Sequence, residues 1–559
     1  MSPVDSRRQT GAGLLLDGPG AALEVLVPGP QREAAAARWR HHARALCDAL
    51  GWADAPLTAR PFPRGLSLAL GAPVDLLYTA ADANEAAWAL ARADLDGTAP
   101  PRLGELVDRL RAQAADEADP PLRALIAEAE RRGVPVVWDD DAVTVGLGAR
   151  GRTFPPDALP PADAFDWSAV GAVPTALVTG TNGKSTTVRM LAGIGRAAGH
   201  TVGLSTTDAV VVGDETVEEG DFSGPLGARA VMRDGRVTMA VCESARGGLL
   251  RRGVPVPVVT ASALTNVAAD HLGDYGIETV PDLARAKLVV AKALGPGGVL
   301  VAPADEPAAT LAVRTQQAAL TARGVAVAWT ALDPDAAADL TATVRDGAVA
   351  LRGPDGWRAV CRVDEVPAAL GGAARHVVRN ALTAAALAQA LGLSDRAIGE
   401  GLGAFRSDPD DNPGRANRFA VGGATVVVDY AHNAHGLRAL ADLAAHWDAR
   451  RRLVLFGSAG DRSEADLAAM CDVLASLDAE RYVVTDLPGY LRGRAPGEVP
   501  ALLSGFLAER GVGADRVHTL PDPVAGARHA LDWAEAGDLA LLLTLAQRDE
   551  VLALLTAAS

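Results

Sequence analysis

The stretch TGTNGKSTT, residues 179–187, stands between the apolar ALVTG run, which reads as a buried strand, and a helical pattern over 186–198. A loop so placed turns successive backbone N–H groups toward a polyphosphate at the positive end of the following helix. Gly180 and Gly183 remove side chains that would block the approach, Lys184 can neutralise β/γ-phosphate charge, and the Ser185 hydroxyl can reach Mg²⁺. Thr181, Asn182 and Thr186 complete the candidate nucleotide-binding set. Val178 occupies the position of the first glycine in the longer GxxxxGK[ST] spacing, so only the shorter GTNGKS form is present. The alternative is a glycine turn capped by Thr and Ser.

Working outward, strand, helix and strand alternate through TVGLSTTDAVVV, VTMAVCES, VVTASALTNV and GGVLVAPADE, with 283–293 read as a helix. Such alternation predicts a mainly parallel sheet. A helical run covers 374–391, and SDPDDNPGR at 407–415 has hinge composition. Beyond it, the strand at 424–430, RLVLF, RYVVTD and DLALLLT, separated by helices, predict a second, smaller doubly wound sheet. Upstream, a strand at 22–27 and a helix at 33–50 predict a small α/β unit. The Pro-, Asp- and Ala-rich clusters at 100–121 and 154–166 read as connections. The fold class is therefore α/β, with an N-terminal α/β domain over 1–165, a central P-loop-type domain over 166–408 and a C-terminal Rossmann-like domain over 409–559.

The 559-residue length suits about three domains. With 49% hydrophobic and 22% charged residues, disorder as the dominant state is excluded. Fifty-three Lys and Arg against 69 Asp and Glu give a net charge of −16, which argues against nucleic acid as the main partner. Cys47, Cys242, Cys361 and Cys471 are widely spaced and read as core thiols in a reducing compartment. A leader and a long apolar span are both missing from the pattern, so the expectation is a cytoplasmic protein without a membrane partner.

Glu243 follows the strand VTMAVC, which sets a carboxylate at the carboxyl end of a strand, where open α/β sheets bind ligands. Asn266, Asp270 and His271 cluster in TNVAADHLG, again after a strand, and Lys287 lies among apolar neighbours in ARAKLVV. Taken singly, these are a loop Glu, a surface His–Asp pair and a snorkelling Lys.

Together with GTNGKST, CESARGG, RHVVRNALTAAALAQALG, the GR of PGRANRF and DYAHN, these segments resemble the Mur ligase superfamily, in the family's order, over residues 175–559. STTD (205–208), GDFSGP (220–225), NVAADHLG with GIET, and LRGR with GE (491–498) look specifically like the Mur-like half of cyanophycin synthetases. The amino-terminal TGAGLLLDGPGAALEVLVP resembles the N domain of those enzymes. The resemblance implies an ADP-forming acid–amino acid ligase using ATP and Mg²⁺, in which γ-phosphoryl transfer makes an acyl phosphate that an amine attacks. It implies Lys184, Glu243, His271 and Lys287 as the catalytic set. Ser185 and Glu243 would hold one Mg²⁺, and His271 and Lys287, the latter carbamylated, would serve a second. Asn266 and Asn380 would face adenine, Arg415 would reach the phosphates, and Asp429, Tyr430 and His432 would close over the nucleotide.

Only about forty residues, 125–164, occupy the place where cyanophycin synthetases carry an ATP-grasp module, too few for such a domain. The expectation is a single isopeptide-forming reaction on a small-molecule or peptide carboxylate and an amino acid, in a possible homo-oligomer. Ala434 and His435 follow DYAHN where the family has Pro and an acidic residue. Arg492 and Arg494 could clamp a substrate carboxylate or form a solvated basic loop, and Ser223 and Arg246 could position the acid or serve their own turns. A folylpolyglutamate-like or cell-wall-precursor ligase is the rival enzyme, and an inactive nucleotide-binding regulatory subunit the rival outside enzymes.

Overall fold

The computed structural model describes residues 2–559, which form two compact units. The first runs to Val344 and takes in Ala350–Val360 and Leu382–Gly401; the second holds the short segments between these and Leu402–Ser559.

The first unit opens with an antiparallel sheet in the order Ser2–Gln9, Gly20–Leu26, Gly65–Gly71, Leu57–Phe62. The helices Arg32–Ala49 and Leu77–Asp96 enclose its core with Leu23, Val25, Leu66, Leu68, Leu70, Trp39 and Trp88. Asn84 ties the layers together by accepting from Trp39 Nε1 at 2.9 Å and donating to the carbonyls of Ala21 and Leu68. The 100–121 cluster is not merely a connection, because Leu103–Glu117 is a helix. Leu103, Leu106, Val107, Leu110 and Ala114 keep helical spacing, which the flanking prolines obscure in the sequence. Its last residue, Glu117, accepts from the N–H groups of Tyr78 and Thr79, both at 2.7 Å, and so supplies the cap that the helix Leu77–Asp96 lacks locally. The helix Pro120–Arg132 and the antiparallel strands Val136–Trp138, Val143–Val145 and Arg152–Phe154 then build a small layer around Leu125, Val143, Val145 and Phe165.

The large sheet runs, across its strands, Glu215–Glu219, Ala209–Val212, Val202–Ser205, Met239–Glu243, Thr175–Thr179, Val259–Leu264, Leu294–Pro303, Ala326–Ala331, Leu340–Arg345, Ala348–Gly353 and Gly356–Arg362. From Val202–Ser205 to Leu340–Arg345 every pairing is parallel. Thr175–Thr179 and Met239–Glu243 are buried throughout, as strands covered on both faces must be. TVGLSTTDAVVV is two antiparallel strands that turn at 206–208. The expected helix over 283–293 is an α-helix, Val280–Lys287, tightened to 3₁₀ from Leu288 to Ala293 where two valines follow each other.

The second unit has the sheet order Asn417–Val421, Ala424–Asp429, Leu539–Leu543, Arg452–Phe456, Arg481–Thr485, Val517–Leu520. Only the first pair is antiparallel. Asp538, ahead of the central strand, accepts from Arg450 and Arg451 and from the Glu535 N–H at 2.9 Å, while its own carbonyl accepts from Thr425 N. Burial pushes its carboxyl up, but Arg451, the Glu535 N–H and Arg450 together hold it down at about 2. Its contribution to stability is therefore complete above the ordinary value of 3.8 and is lost as pH falls through about 2. Asp538→Asn is expected to destabilise this unit by ~2–4 kcal/mol at neutral pH, read from denaturant-dependent hydrogen exchange in Leu539–Leu543. Exchange unchanged from wild type would show that the two arginines hold nothing there.

Candidate active site

Three neighbouring parallel strands end on the glycine loop. Glu243 lies opposite Val178 on one side, and Leu264 lies opposite Thr179 on the other. Residues 180–183 leave the middle strand, and the helix Lys184–Ala197 starts from Gly183 in left-handed conformation, φ +81°, with no side-chain cap. An uncapped helix start at strand carboxyl ends is a place for an anion.

The loop is held from the Val259–Leu264 side. Asn266 accepts from Asn182 N at 2.9 Å and donates to Asn182 O at 2.9 Å, so both ends of its amide are engaged with the loop backbone. Thr265 Oγ1 donates to the same carbonyl at 2.7 Å, and the Thr181 N–H donates to Asn266 O at 3.0 Å. Thr181 Oγ1 bonds both the N–H and the carbonyl of Ala268. A Cβ on Gly180 would stand 1.8 Å from Thr265 Oγ1, so glycine there is demanded by closeness as well as by its φ of +154°.

Around this loop sit a carboxylate and two amines. Glu243 is 1% exposed. Its Oε2 accepts from Ser185 Oγ at 2.7 Å, while Oε1 takes no hydrogen bond and faces Lys184 Nζ at 3.7 Å. A buried carboxylate oxygen in that state fits a cation, and the adjacent Ser185 hydroxyl and glycine loop fit a Mg²⁺-polyphosphate. Lys184 Nζ folds back to Thr181 O at 3.0 Å, and Ser185 Oγ is 3.3 Å from Thr207 Oγ1. Lys287, the last residue of its helix, is 4% exposed and donates to Gly180 O at 2.7 Å. Burial, reinforced by repulsion from Lys184, holds its amine well below the ordinary lysine value; Asp270 and Glu243 oppose this only in part. His271 is exposed, has φ +49°, and its Nε2 is 3.9 Å from the buried Asp270. The carbonyl of Ser223 accepts from Ala245 N at 2.7 Å, close after Glu243, while Ser223 Oγ donates to Asp221. Arg246 is paired with Asp274 at 2.9 Å.

The first unit thus gathers the glycine loop, Lys184, Ser185, Glu243, Asn266 and Lys287. Asp270, named with Asn266 and His271 in TNVAADHLG but given no role of its own, belongs with them, as do Thr265 and Thr207, which were not among the candidates. Thr265 precedes Asn266 in that segment, and Thr207 lies in STTD. Asn380, Arg415, Asp429, Tyr430, His432, Arg492 and Arg494 lie in the second unit. There Asp429 accepts from Ala416 N at 2.8 Å and Ala431 N at 2.7 Å, and burial raises its carboxyl above the ordinary value despite these bonds and Arg415. The Arg415 guanidinium lies over the Tyr430 ring, which meets His432 edge to face. Asn380 is buried on the helix Arg375–Ala390. Arg492 bonds Asp461, and Arg494 bonds Gly460 O and Glu498 at 2.9 and 2.8 Å, so both guanidinia are engaged with the neighbouring loop after the strand Arg452–Phe456.

Two measurements test this geometry. Gly180→Ala is expected to cost ~1–3 kcal/mol of stability, because Thr265 must give up its bond to Asn182 O, and to weaken nucleotide binding. Binding as tight as wild type by calorimetry would refute the close fit. For Lys287, the unfolded chain binds a proton that the folded chain does not, from the depressed value up to the ordinary 10.5. Stability from this group therefore rises with pH across that window. In bicarbonate-free buffer, the stability of Lys287→Met minus that of wild type should fall as pH rises toward 10.5, by up to ~1.4 kcal/mol per pH unit; a constant difference would mean a charged amine.

Residues 178–388 match the Mur ligase middle domain and residues 414–544 the Mur ligase glutamate ligase domain. Cyanophycin synthetase of Trichormus variabilis is 33% identical over 382 residues, 67% of this chain and 41% of that protein. The chain therefore spans well under half the length of that relative. UDP-N-acetylmuramoylalanine--D-glutamate ligase of Rubrobacter xylanophilus is 30% identical over 430 residues, 76% of this chain and 77% of the relative. Among solved structures, E. coli FolC in complex with DHPP and ADP superposes with a TM-score of 0.53 at 20% identity, over 68% of this chain and 89% of FolC, a likeness of fold. With both domain models in sequence order and a relative matched over three quarters of its length, the chain belongs to the Mur ligase family.

Proposed function

We propose that this chain is an ATP-dependent amide ligase, forming ADP as it joins a carboxylate to the amine of an amino acid. The observation that carries the reading is the buried Glu243 with one unbonded oxygen, set against Lys184 and Ser185 at the start of the glycine-loop helix. The similarity to cyanophycin synthetase and to a UDP-N-acetylmuramoylalanine--D-glutamate ligase supports the reaction class, and the ADP complex of FolC supports the nucleotide.

In this reading residues 180–186 cradle the phosphates, Lys184 neutralises their charge, and Ser185 and Glu243 hold one Mg²⁺ while His271 and Lys287 serve a second. Bound Mg²⁺ supplies charge neutralisation to the phosphoryl transfer that converts the carboxylate to an acyl phosphate. Burial favours the neutral amine of Lys287, the form that adds CO₂ with loss of a proton, and the carbamate would then present an anion on the metal side. Asn266 keeps the loop in shape, and Asn380, Arg415, Asp429, Tyr430 and His432 contribute the remaining nucleotide contacts. Ser223, Arg246, Arg492 and Arg494 recognise the acid, a small molecule or peptide, in one isopeptide-forming reaction. The working domains are 1–165, 166–408 and 409–559. Four buried, unpaired cysteines suit the cytoplasm.

The test is an ADP-release assay with mass-spectrometric product detection across Asp, Arg, Lys, Glu and β-aspartyl peptides. ADP release should require both an acid and an amine, and Lys184→Met and Glu243→Gln should each lower kcat by ~100-fold or more. Lys184→Met turning over at the wild-type rate, or nucleotide binding without ADP release throughout the panel, would sink the reading.

A further inference from the structure

The segment that follows His271 has an unusual backbone. His271, Gly273, Tyr275 and Gly276 have φ of +49°, +106°, +52° and +65°, so two of the four left-handed positions carry side chains. Such conformations persist only where the surroundings over-determine them. Here the surroundings are the N-terminal sheet. From the strand Leu57–Phe62, Arg60 Nη2 donates to the carbonyls of Tyr275 at 3.1 Å and Gly276 at 2.9 Å. Its Nη1 lies 3.7 Å from Asp282, in the first turn of the helix that ends at Lys287. Arg64, in the turn after that strand, donates to Gly273 O at 2.6 Å and to Glu278 at 2.8 Å.

Two further contacts close the seam. A Cβ on Gly276 would stand 2.6 Å from the Phe62 ring, so the strand end meets the loop backbone directly. The Arg7 guanidinium lies 4.8 Å over the Tyr275 ring while bonding Leu250 O at 3.0 Å and Glu24 at 2.8 Å. Glu24 in turn accepts from Ser67 Oγ at 2.6 Å, and both members of the Arg7–Glu24 pair are buried. Three loop carbonyls, two acidic side chains and an aromatic ring of the 273–282 segment are thus met by three arginines of one sheet.

We propose that Arg60 and Arg64 are positioning residues: the N-terminal sheet holds residues 271–282 in their left-handed course and thereby sets where His271 and the Lys287 helix stand. The consequence for turnover rests on the ligase reading above; the structural claim does not. The N-terminal layer is then a working part of the catalytic unit. Arg64 is largely exposed, so its replacement leaves the core intact, whereas Arg60 is more enclosed and carries more of the hold.

The test is hydrogen exchange by mass spectrometry on the full chain, comparing wild type with Arg64→Ala, Arg60→Ala and Arg60→Lys. Lys292→Ala is the control, because Lys292 also bridges to the N-terminal region, at Gly13 O and Asp17, but does not touch this loop. Exchange over 271–280 should rise by ~10-fold in Arg64→Ala and more in Arg60→Ala, with residues 179–187 unchanged, and Arg60→Lys should restore part of the protection. If the enzyme turns over, kcat should fall ~10- to 100-fold while KM for ATP stays within about twofold. Unchanged exchange in both alanine variants, or an equal rise in Lys292→Ala, overturns the proposal. Exchange is read without substrates, so a wild type inert toward the whole acid and amine panel would strike the ligase reading alone.

Discussion

A carboxylate at the end of a fully buried strand, with one oxygen bonded and the other not, is the constraint around which the first unit is arranged. Desolvating such a group is tolerable only beside positive charge and donors. Lys184 and Ser185 supply them because the helix that carries both begins at the end of the adjacent strand. Parallel pairing of Met239–Glu243 with Thr175–Thr179 is therefore the feature that makes the site: a register slip of one residue would turn Glu243 to the other face of the sheet.

The second support is less visible from the chemistry. The glycine loop has no internal secondary structure, yet the backbone of Asn182 is held by three bonds from Thr265 and Asn266. A polyphosphate cradle must have its N–H groups aimed before the ligand arrives, since ordering them on binding would subtract from affinity. The neighbouring strand end does that aiming. The same logic extends to the His271 segment, where backbone conformations unfavourable by themselves are fixed by arginines from a separate sheet.

Much of this was legible in the sequence. Strands such as RLVLF and RYVVTD stand where the apolar runs put them, because buried parallel strands have to be continuously apolar. The glycine loop was legible because its spacing reflects a backbone requirement. Helix 103–117 was not, since its periodic leucines are framed by prolines that also mark loops. The amide of Asn266 illustrates a different limit: the family resemblance implied an adenine-facing role for it, but which of its neighbours it bonds depends on the facing backbone of Asn182. Arg60 and Arg64 carry no motif at all. Besides Asp282 and Glu278, their partners are backbone carbonyls more than two hundred residues away, and a carbonyl leaves no trace in the residue letters.

The electrostatics of the two lysines follow from that geometry. Both amines bond carbonyls of one four-residue loop, Lys184 at Thr181 and Lys287 at Gly180. Two ammonium groups so close, one of them nearly inaccessible to water, cannot both remain charged cheaply in the low-dielectric end of a sheet. Burial, reinforced by the neighbouring Lys184, favours the neutral form of Lys287, while Lys184 Nζ stands nearer solvent and 3.7 Å from Glu243 Oε1. A neutral amine at 4% exposure, donating to the Gly180 carbonyl, keeps a lone pair that an ammonium lacks. Burial thus gives Lys287 a different chemistry from Lys184, although the side chains are identical and share the same loop.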